Sequence, residues 1–323
     1  MNFPVTRLRR TRQTKTLRSM FQNVYLHPAD LILPLFVSES ITAKEEIPSM
    51  PGVYQYPLKD VSQKTKEIHS TGIPSILLFG IPNEKNPTGS QAYDSSGIVQ
   101  KAVREIKNSV PDLCVITDVC LCSYTSSGHC GIINQQGVIQ NDESCCLLAK
   151  VALSHAKAGA DIVAPSDMMD GRVGYIRSLL DEEGFEMTPI MSYAVKYASN
   201  FYGPFRDAAD CAPKFGDRKT YQMNFANSNE AYLEAMTDIE EGADMVIVKP
   251  ALSYLDVIAS LRPLIHHPII AYSVSGEYSM MKAASMNGWI DYSQVMLETL
   301  LSMKRAGADN IITYSALDVL EHL

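Results

Sequence analysis

The segment Glu241-Gly-Ala-Asp-Met-Val-Ile247 decides the fold, because its pattern recurs as Ala158-Gly-Ala-Asp-Ile-Val-Ala164 and as Ala306-Gly-Ala-Asp-Asn-Ile-Ile312. In each copy a helical pattern ends, a glycine (Gly242, Gly159 or Gly307) stands where a helix C-cap needs positive φ, and an apolar run follows. These runs lack polar alternation, as expected of parallel strands covered on both faces. Similar runs occur at residues 31–37, 75–79, 114–118, 162–164, 189–193, 245–249, 269–272 and 310–314. Helical patterns separate most of them, for example over 95–108, 143–157, 171–183, 229–241 and 292–305. Eight βα alternations predict an α/β protein of the (β/α)8 TIM-barrel class. An open doubly wound sheet is the alternative; no Gly-x-Gly-x-x-Gly or Walker loop follows any strand, so its nucleotide-binding versions lose their main support.

The 323-residue chain exceeds the ~250 residues typical of a barrel. The expected division is an N-terminal arm for subunit contacts over 1–30 and a catalytic barrel over 31–323. With 36 acidic against 28 basic residues and a net charge of −8, general nucleic-acid affinity is not expected. No apolar run approaches the ~18 residues that suggest a membrane span. Seven unevenly clustered cysteines fit a reducing, cytoplasmic setting with metal-binding thiolates better than a disulfide framework. The arm departs from the acidic pattern, since Arg7, Arg9, Arg10, Arg12, Lys15 and Arg18 all precede the first acidic residue, Asp30. Its composition suits a solvated or subunit-contacting arm, a transit peptide or a nucleic-acid patch, the last disfavoured by the acidic body.

A barrel puts its working groups at the C-terminal ends of its strands, which here carry Asp118, Ser166, Lys196, Lys249, Tyr272, Ser275 and Tyr314. Lys249 ends Met245-Val-Ile-Val-Lys249 and Lys196 follows Ile190-Met-Ser-Tyr-Ala-Val. Burial and a neighbouring cation both lower an ammonium pKa, and a neutral lysine amine forms Schiff bases with carbonyls. Two such lysines suggest two carbonyl substrates, or one nucleophile and one helper; a lone strand-end lysine is as readily a surface or phosphate-binding residue. The connections over 119–141 and 194–227 exceed ~15 residues and read as functional loops. In the first, Asp118-Val-Cys120-Leu-Cys122 and Cys130, which returns after Gly128, let one loop curl round a soft ion such as Zn²⁺. His129 and Asp118 stand close by as harder or outer contacts, and no fourth cysteine completes the cluster, which reads as a metal site whose last position is left for water or substrate, as in catalytic rather than structural zinc sites. Buried inert or redox-active thiols are the other readings. Cys114, Cys145 and Cys146 read as core or helix-face residues. In the second loop Arg206 and Arg218, with Gln222 near, suit a carboxylate, although loop arginines are often merely solvated.

At these residues, and through Pro34-Leu-Phe-Val37, Ser49-Met-Pro-Gly-Val-Tyr54, Leu78-Phe-Gly-Ile-Pro82, Ala164-Pro-Ser-Asp-Met-Met-Asp-Gly-Arg172, Phe201-Tyr-Gly-Pro-Phe-Arg206, Met245-Val-Ile-Val-Lys-Pro250 and Ser275-Gly-Glu-Tyr278, the chain resembles the δ-aminolevulinic acid dehydratase (porphobilinogen synthase) family of the zinc-dependent cysteine type. The resemblance covers nearly the whole length. It implies a lyase of tetrapyrrole (heme) biosynthesis that condenses two 5-aminolevulinate molecules to porphobilinogen and two waters. It further implies Lys249 as the Schiff-base lysine of the first substrate, held by Tyr314, Ser275 and Tyr272, and Lys196 as the second lysine. Arg206, Arg218 and Gln222 are matched to the second substrate's carboxylate, Asp118 and Ser166 to the reacting groups, and Cys120, Cys122 and Cys130 to the catalytic Zn²⁺. Glu234 is matched to an allosteric Mg²⁺, and the arm to a homo-oligomer, commonly an octamer. Three positions depart from the family pattern: Ser127 where histidine is usual, Asn224-Phe225 in place of Asp-Pro, and Ser315-Ala-Leu317 after Tyr314.

Two rival readings fit part of this residue set. A Schiff-base aldolase needs one strand-end lysine but neither the cysteines nor a second lysine. A non-catalytic zinc-binding or redox-regulated barrel needs no substrate adduct at all.

Overall fold

The computed structural model describes residues 2–323. Ahead of the barrel, the arm forms a 3-10 turn, Leu8–Arg12, and the short helix α1 (Lys15–Met20), whose N-cap Thr14 accepts the Leu17 N–H. Then come β1 (Leu31–Ser38), the ribbon β2 (Glu45–Glu46) and β3 (Tyr54–Pro57), α2 (Leu58–Ser70), β4 (Ser75–Ile81), α3 (Ile98–Ser109) and β5 (Cys114–Val119). The chain continues through α4 (Asn141–Ala158), β6 (Ile162–Pro165), α5 (Arg172–Glu182), β7 (Met191–Lys196), α6 (Gly203–Ala208), α7 (Glu230–Glu240) and β8 (Met245–Lys249). It ends with α8 (Leu255–Leu261), β9 (Ile269–Ser273), α9 (Ser275–Met286), α10 (Tyr292–Ala306) and β10 (Asn310–Thr313).

The eight long strands pair in parallel in the order β6-β5-β4-β1-β10-β9-β8-β7. A parallel bridge between Val163 of β6 and Ile190, just ahead of β7, closes the ring. The expected TIM barrel is therefore the fold, and the open sheet is excluded. Along β1, Leu31, Leu33, Leu35 and Val37 pack with Val61, Ile68, Val103 and Leu300 of the surrounding helices. The alternate residues Ile32 and Phe36 join Leu77, Phe79, Ile247, Ile270, Tyr272 and Ile312 on the side that fills the barrel. Each strand thus buries both faces, which is why its sequence shows no polar alternation.

The repeated Gly-Ala-Asp has a structural origin. Gly159, Gly242 and Gly307 have φ of 103°, 107° and 120°, so the helix reverses there as the sequence requires. The aspartate that follows caps the start of a neighbouring strand: Asp161 accepts the Val115 N–H (2.7 Å), Asp244 the Ile190 N–H (2.8 Å) and Asp309 the Ile269 N–H (2.7 Å). These polar groups hold the N-terminal rim and leave the opposite rim to the lysines and long loops. Among the described residues no helix is long and apolar enough to cross a membrane.

Candidate active site

Strand β7 runs further than its apolar run suggests, reaching Lys196, and a register shift between Ser192 and Val195 sets Lys196 directly opposite Lys249 of β8. The two amines therefore share one wall of the mouth, each about 5% exposed. The Lys249 Nζ lies 4.2 Å from the ring centre of Tyr272, 5.0 Å from Phe205, 5.1 Å from Tyr193 and 5.3 Å from Tyr202. Burial in this aromatic cage, followed by the charge of Lys196, lowers its pKa to about 7 against the opposing pull of Asp118. The Lys196 Nζ donates to the Ser166 carbonyl.

Asp118, near the end of β5, faces both lysines and the Ser166 side chain; burial raises its pKa while these partners oppose the rise. The Tyr272 and Tyr314 hydroxyls stand 3.2 Å apart. Ser275 Oγ accepts the Phe205 N–H (3.0 Å), tying the start of α9 to the segment after β7. Glu277, not singled out from sequence, is fully buried and accepts the N–H groups of Leu252 and Val274, both at 3.0 Å. It joins the loops that follow β8 and β9, and burial pushes its carboxyl up to about 7. A buried carboxylate three residues into a helix could have signalled this role as a cap.

Cys120, Cys122 and Cys130 are all buried, and their sulfurs lie within 4.8 Å of one another. Three buried sulfurs this close together form a donor set that fits a soft divalent cation such as Zn²⁺. His129 does not join it. Its Nε2 donates to the Phe215 carbonyl at 3.1 Å, and its Nδ1 lies 3.1 Å from the Tyr221 hydroxyl, so both ring nitrogens are engaged by the lid. A fourth thiol was missed in the sequence because it arrives from another loop: fully buried Cys211 faces Cys122. That contact, reinforced by Arg218 against the effect of burial, lowers the Cys211 pKa to about 7. All seven cysteines are free thiols.

The segment between β7 and α7 covers this mouth. Arg206 lies on α6; Arg218 and Gln222 are buried, the arginine 7% and the glutamine 3% exposed. Arg218 Nη2 donates to the carbonyls of Gly128 (2.9 Å) and Cys211 (2.6 Å), and Lys214 N–H donates to the Ser127 carbonyl (2.9 Å). The Nε atoms of Arg206 and Arg218 and the Nε2 of Gln222 are buried without a protein acceptor. Ser127 Oγ accepts only the local His129 N–H (3.2 Å). Beneath the outer side of the lid, a cavity of about 810 Å³ is lined by His129, Asp170, Lys219, Gln222, Glu230 and Glu234 among others. Burial raises the Glu234 pKa, with Arg172 opposing the rise and Asp238, Asp170 and Glu230 adding to it.

A closed parallel barrel with paired, desolvated lysines beside a cluster of soft donors is an enzyme scaffold for carbonyl chemistry. The family model for delta-aminolevulinic acid dehydratase matches residues 5–322. Curated relatives carry that same name: one from Halalkalibacterium halodurans is 58% identical over 98% of this chain and 96% of its own, and one from Bacillus subtilis is 55% identical over 100% and 99%. A crystal structure of delta-aminolevulinic acid dehydratase (porphobilinogen synthase) from Toxoplasma gondii, in complex with the reaction product porphobilinogen, superposes with a TM-score of 0.96 at 44% identity, covering 98% of this chain and 91% of that one. The chain belongs to the delta-aminolevulinic acid dehydratase family. Its activity is that of a porphobilinogen synthase, a lyase of porphyrin biosynthesis.

Proposed function

We propose that two 5-aminolevulinate molecules condense at this mouth with Lys249 as the covalent nucleophile. The observation that carries this assignment is the in-register pairing of Lys196 and Lys249 inside an aromatic cage. With its pKa near 7, a sizeable fraction of Lys249 is neutral at physiological pH and attacks the ketone of the first substrate; the ketone oxygen leaves as water and a Schiff base remains. Tyr272, Ser275 and Tyr314 hold the far carboxylate of that molecule. Lys196, hydrogen-bonded to the Ser166 carbonyl, binds the second substrate or relays its protons. Arg206, Arg218 and Gln222 receive the second carboxylate, and their three buried donor atoms without a protein acceptor support that role. Asp118 and Ser166 hold and move protons at the reacting amine and carbonyl.

Cys120, Cys122 and Cys130 hold a catalytic Zn²⁺, which when bound supplies Lewis acidity toward a substrate oxygen. Glu234, with Asp170 and Glu230 lining the same cavity, offers oxygen donors to an allosteric Mg²⁺. The arm displays Leu8, Met20 and Phe21 at 73%, 68% and 60% exposure, which supports the reading that it wraps a neighbour in a homo-oligomer, an octamer as is common in the family. A cytoplasmic setting agrees with seven unpaired thiols.

The direct test supplies the purified full-length chain with Zn²⁺ and 5-aminolevulinate and assays pyrrole colour. Porphobilinogen formation is expected; its absence with the metal supplied overturns the reading.

A further inference from the structure

Cys211 stands 81 residues after Cys130 in sequence, yet lies against the thiol loop in space. Helix α6 ends in Ala208, and Asp210 then takes a φ of 45°, a left-handed conformation that turns the chain and carries Cys211 inward. Lys85 grips both the carbonyl and the carboxylate of Asp210 from the segment after β4. The residues that follow press on the thiol loop so closely that a Cβ on Gly128 would lie 2.3 Å from the Ala212 carbonyl oxygen. Arg218 and Lys214 add hydrogen bonds between the same two segments. The Cys211 side chain is therefore held, fully buried, facing Cys122.

Charge points the same way. Arg218 is a buried cation with no carboxylate ion-pair partner within 4.0 Å among the described residues. Its Nη2 donates to the carbonyls of Gly128, inside the thiol loop, and of Cys211, which sets the guanidinium beside the cysteine cluster. A divalent cation with three thiolates carries one net negative charge and a fourth thiolate makes it two, so the adjacent guanidinium offsets the additional charge. Sulfur is also the donor that a soft cation prefers to a hydroxyl or water oxygen.

We propose that Cys211 is a fourth sulfur donor to the divalent cation held by Cys120, Cys122 and Cys130 while substrate is absent, so that the cation staples the lid to the barrel mouth. The thiol proton leaves to solvent as the metal–sulfur bond forms. Because Cys211 faces Cys122 and lies outside the mutually close group of three, the lid segment adjusts to complete the set. The proposal rests on the three-cysteine metal site above and assigns a fourth position that this site leaves open.

X-ray absorption on the wild-type chain loaded with Zn²⁺ alone counts the donors without any variant. Four sulfurs at ~2.3 Å support the proposal; three sulfurs and one lighter atom overturn it while leaving the three-cysteine site intact. Binding without sulfur donors overturns the three-cysteine site itself. A second experiment compares Cys211→Ser with wild type. Expected are Zn²⁺ affinity weaker by at least about tenfold and loss of the Zn²⁺-dependent slowing of amide hydrogen exchange over residues 211–222. Unchanged affinity and unchanged protection overturn the staple.

Discussion

The lysine wall and the thiol cluster meet at one mouth but are built differently. Lys196 and Lys249 sit on paired strands, opposite one another in the ladder, with the aromatic packing of the barrel around them. The thiols come from loops: three from the segment after β5 and Cys211 from the segment after α6. Strands fix the position of a covalent nucleophile through backbone pairing, whereas loop-borne thiols can be drawn together by an ion. The lysines should therefore hold their geometry without metal, and the cluster should hold its metal without the lysines.

The largest expected effect is on the lysine side. Lys249→Met should lower kcat by about 10⁴- to 10⁶-fold, the scale seen when a covalent nucleophile is removed, while zinc content measured by atomic emission stays at the wild-type level. Loss of zinc with the lysine would break the separation of the two regions. Next comes the metal: chelation or Cys122→Ala should reduce activity by about 10²- to 10³-fold, corresponding to the several kcal/mol a Lewis acid supplies. Circular dichroism should meanwhile retain the folded spectrum, because the donors lie on loops; global unfolding on chelation would instead make the ion structural.

A smaller effect belongs to the lid. Arg206→Leu should raise KM for 5-aminolevulinate by roughly 10- to 100-fold, the loss of one charge-assisted hydrogen bond at ~1.5–3 kcal/mol, with kcat less affected. An unchanged KM would remove Arg206 from substrate binding. The pH profile sharpens the contrast further. Since burial and then the charge of Lys196 lower Lys249 to about 7, kcat/KM should rise with pH through an apparent pKa near 7. Lys196→Gln removes one lowering influence and should move that limb to higher pH.

Burying the Lys249 ammonium costs stability below about pH 7, and that cost is relieved as the pH rises. Between about 7 and about 10.4 the unfolded chain binds a proton that folded Lys249 does not, so this group's contribution to unfolding free energy rises with pH across that window. Denaturant titrations of wild type and Lys249→Met over that range should differ in slope, the wild type gaining more stability with rising pH.

The separation also explains what could be read from the residues. Strand-borne groups were legible because an apolar run ending in lysine identifies both its element and its end, and Gly242 with Asp244 marks where that element begins. Lys196 was placed just beyond its strand because the irregularity between Ser192 and Val195, which brings it into register with Lys249, depends on the neighbouring strand. Cys120, Cys122 and Cys130 were legible because one loop carries them all. Cys211 was not, since nothing local to it announces a turn inward at Asp210 or the docking of Ala212 on Gly128. His129 looked like a neighbour of the metal by spacing, yet its ring is taken up by Phe215 and Tyr221 of the lid.

The central claim is that Lys249 carries the first substrate. Incubation with 5-aminolevulinate, reduction with borohydride and peptide mapping by mass spectrometry tests it most directly. A reduced adduct on the peptide containing Lys249, absent from Lys249→Met, is the predicted result; a chain that traps substrate only at Lys196, or at neither lysine while making porphobilinogen, would contradict it.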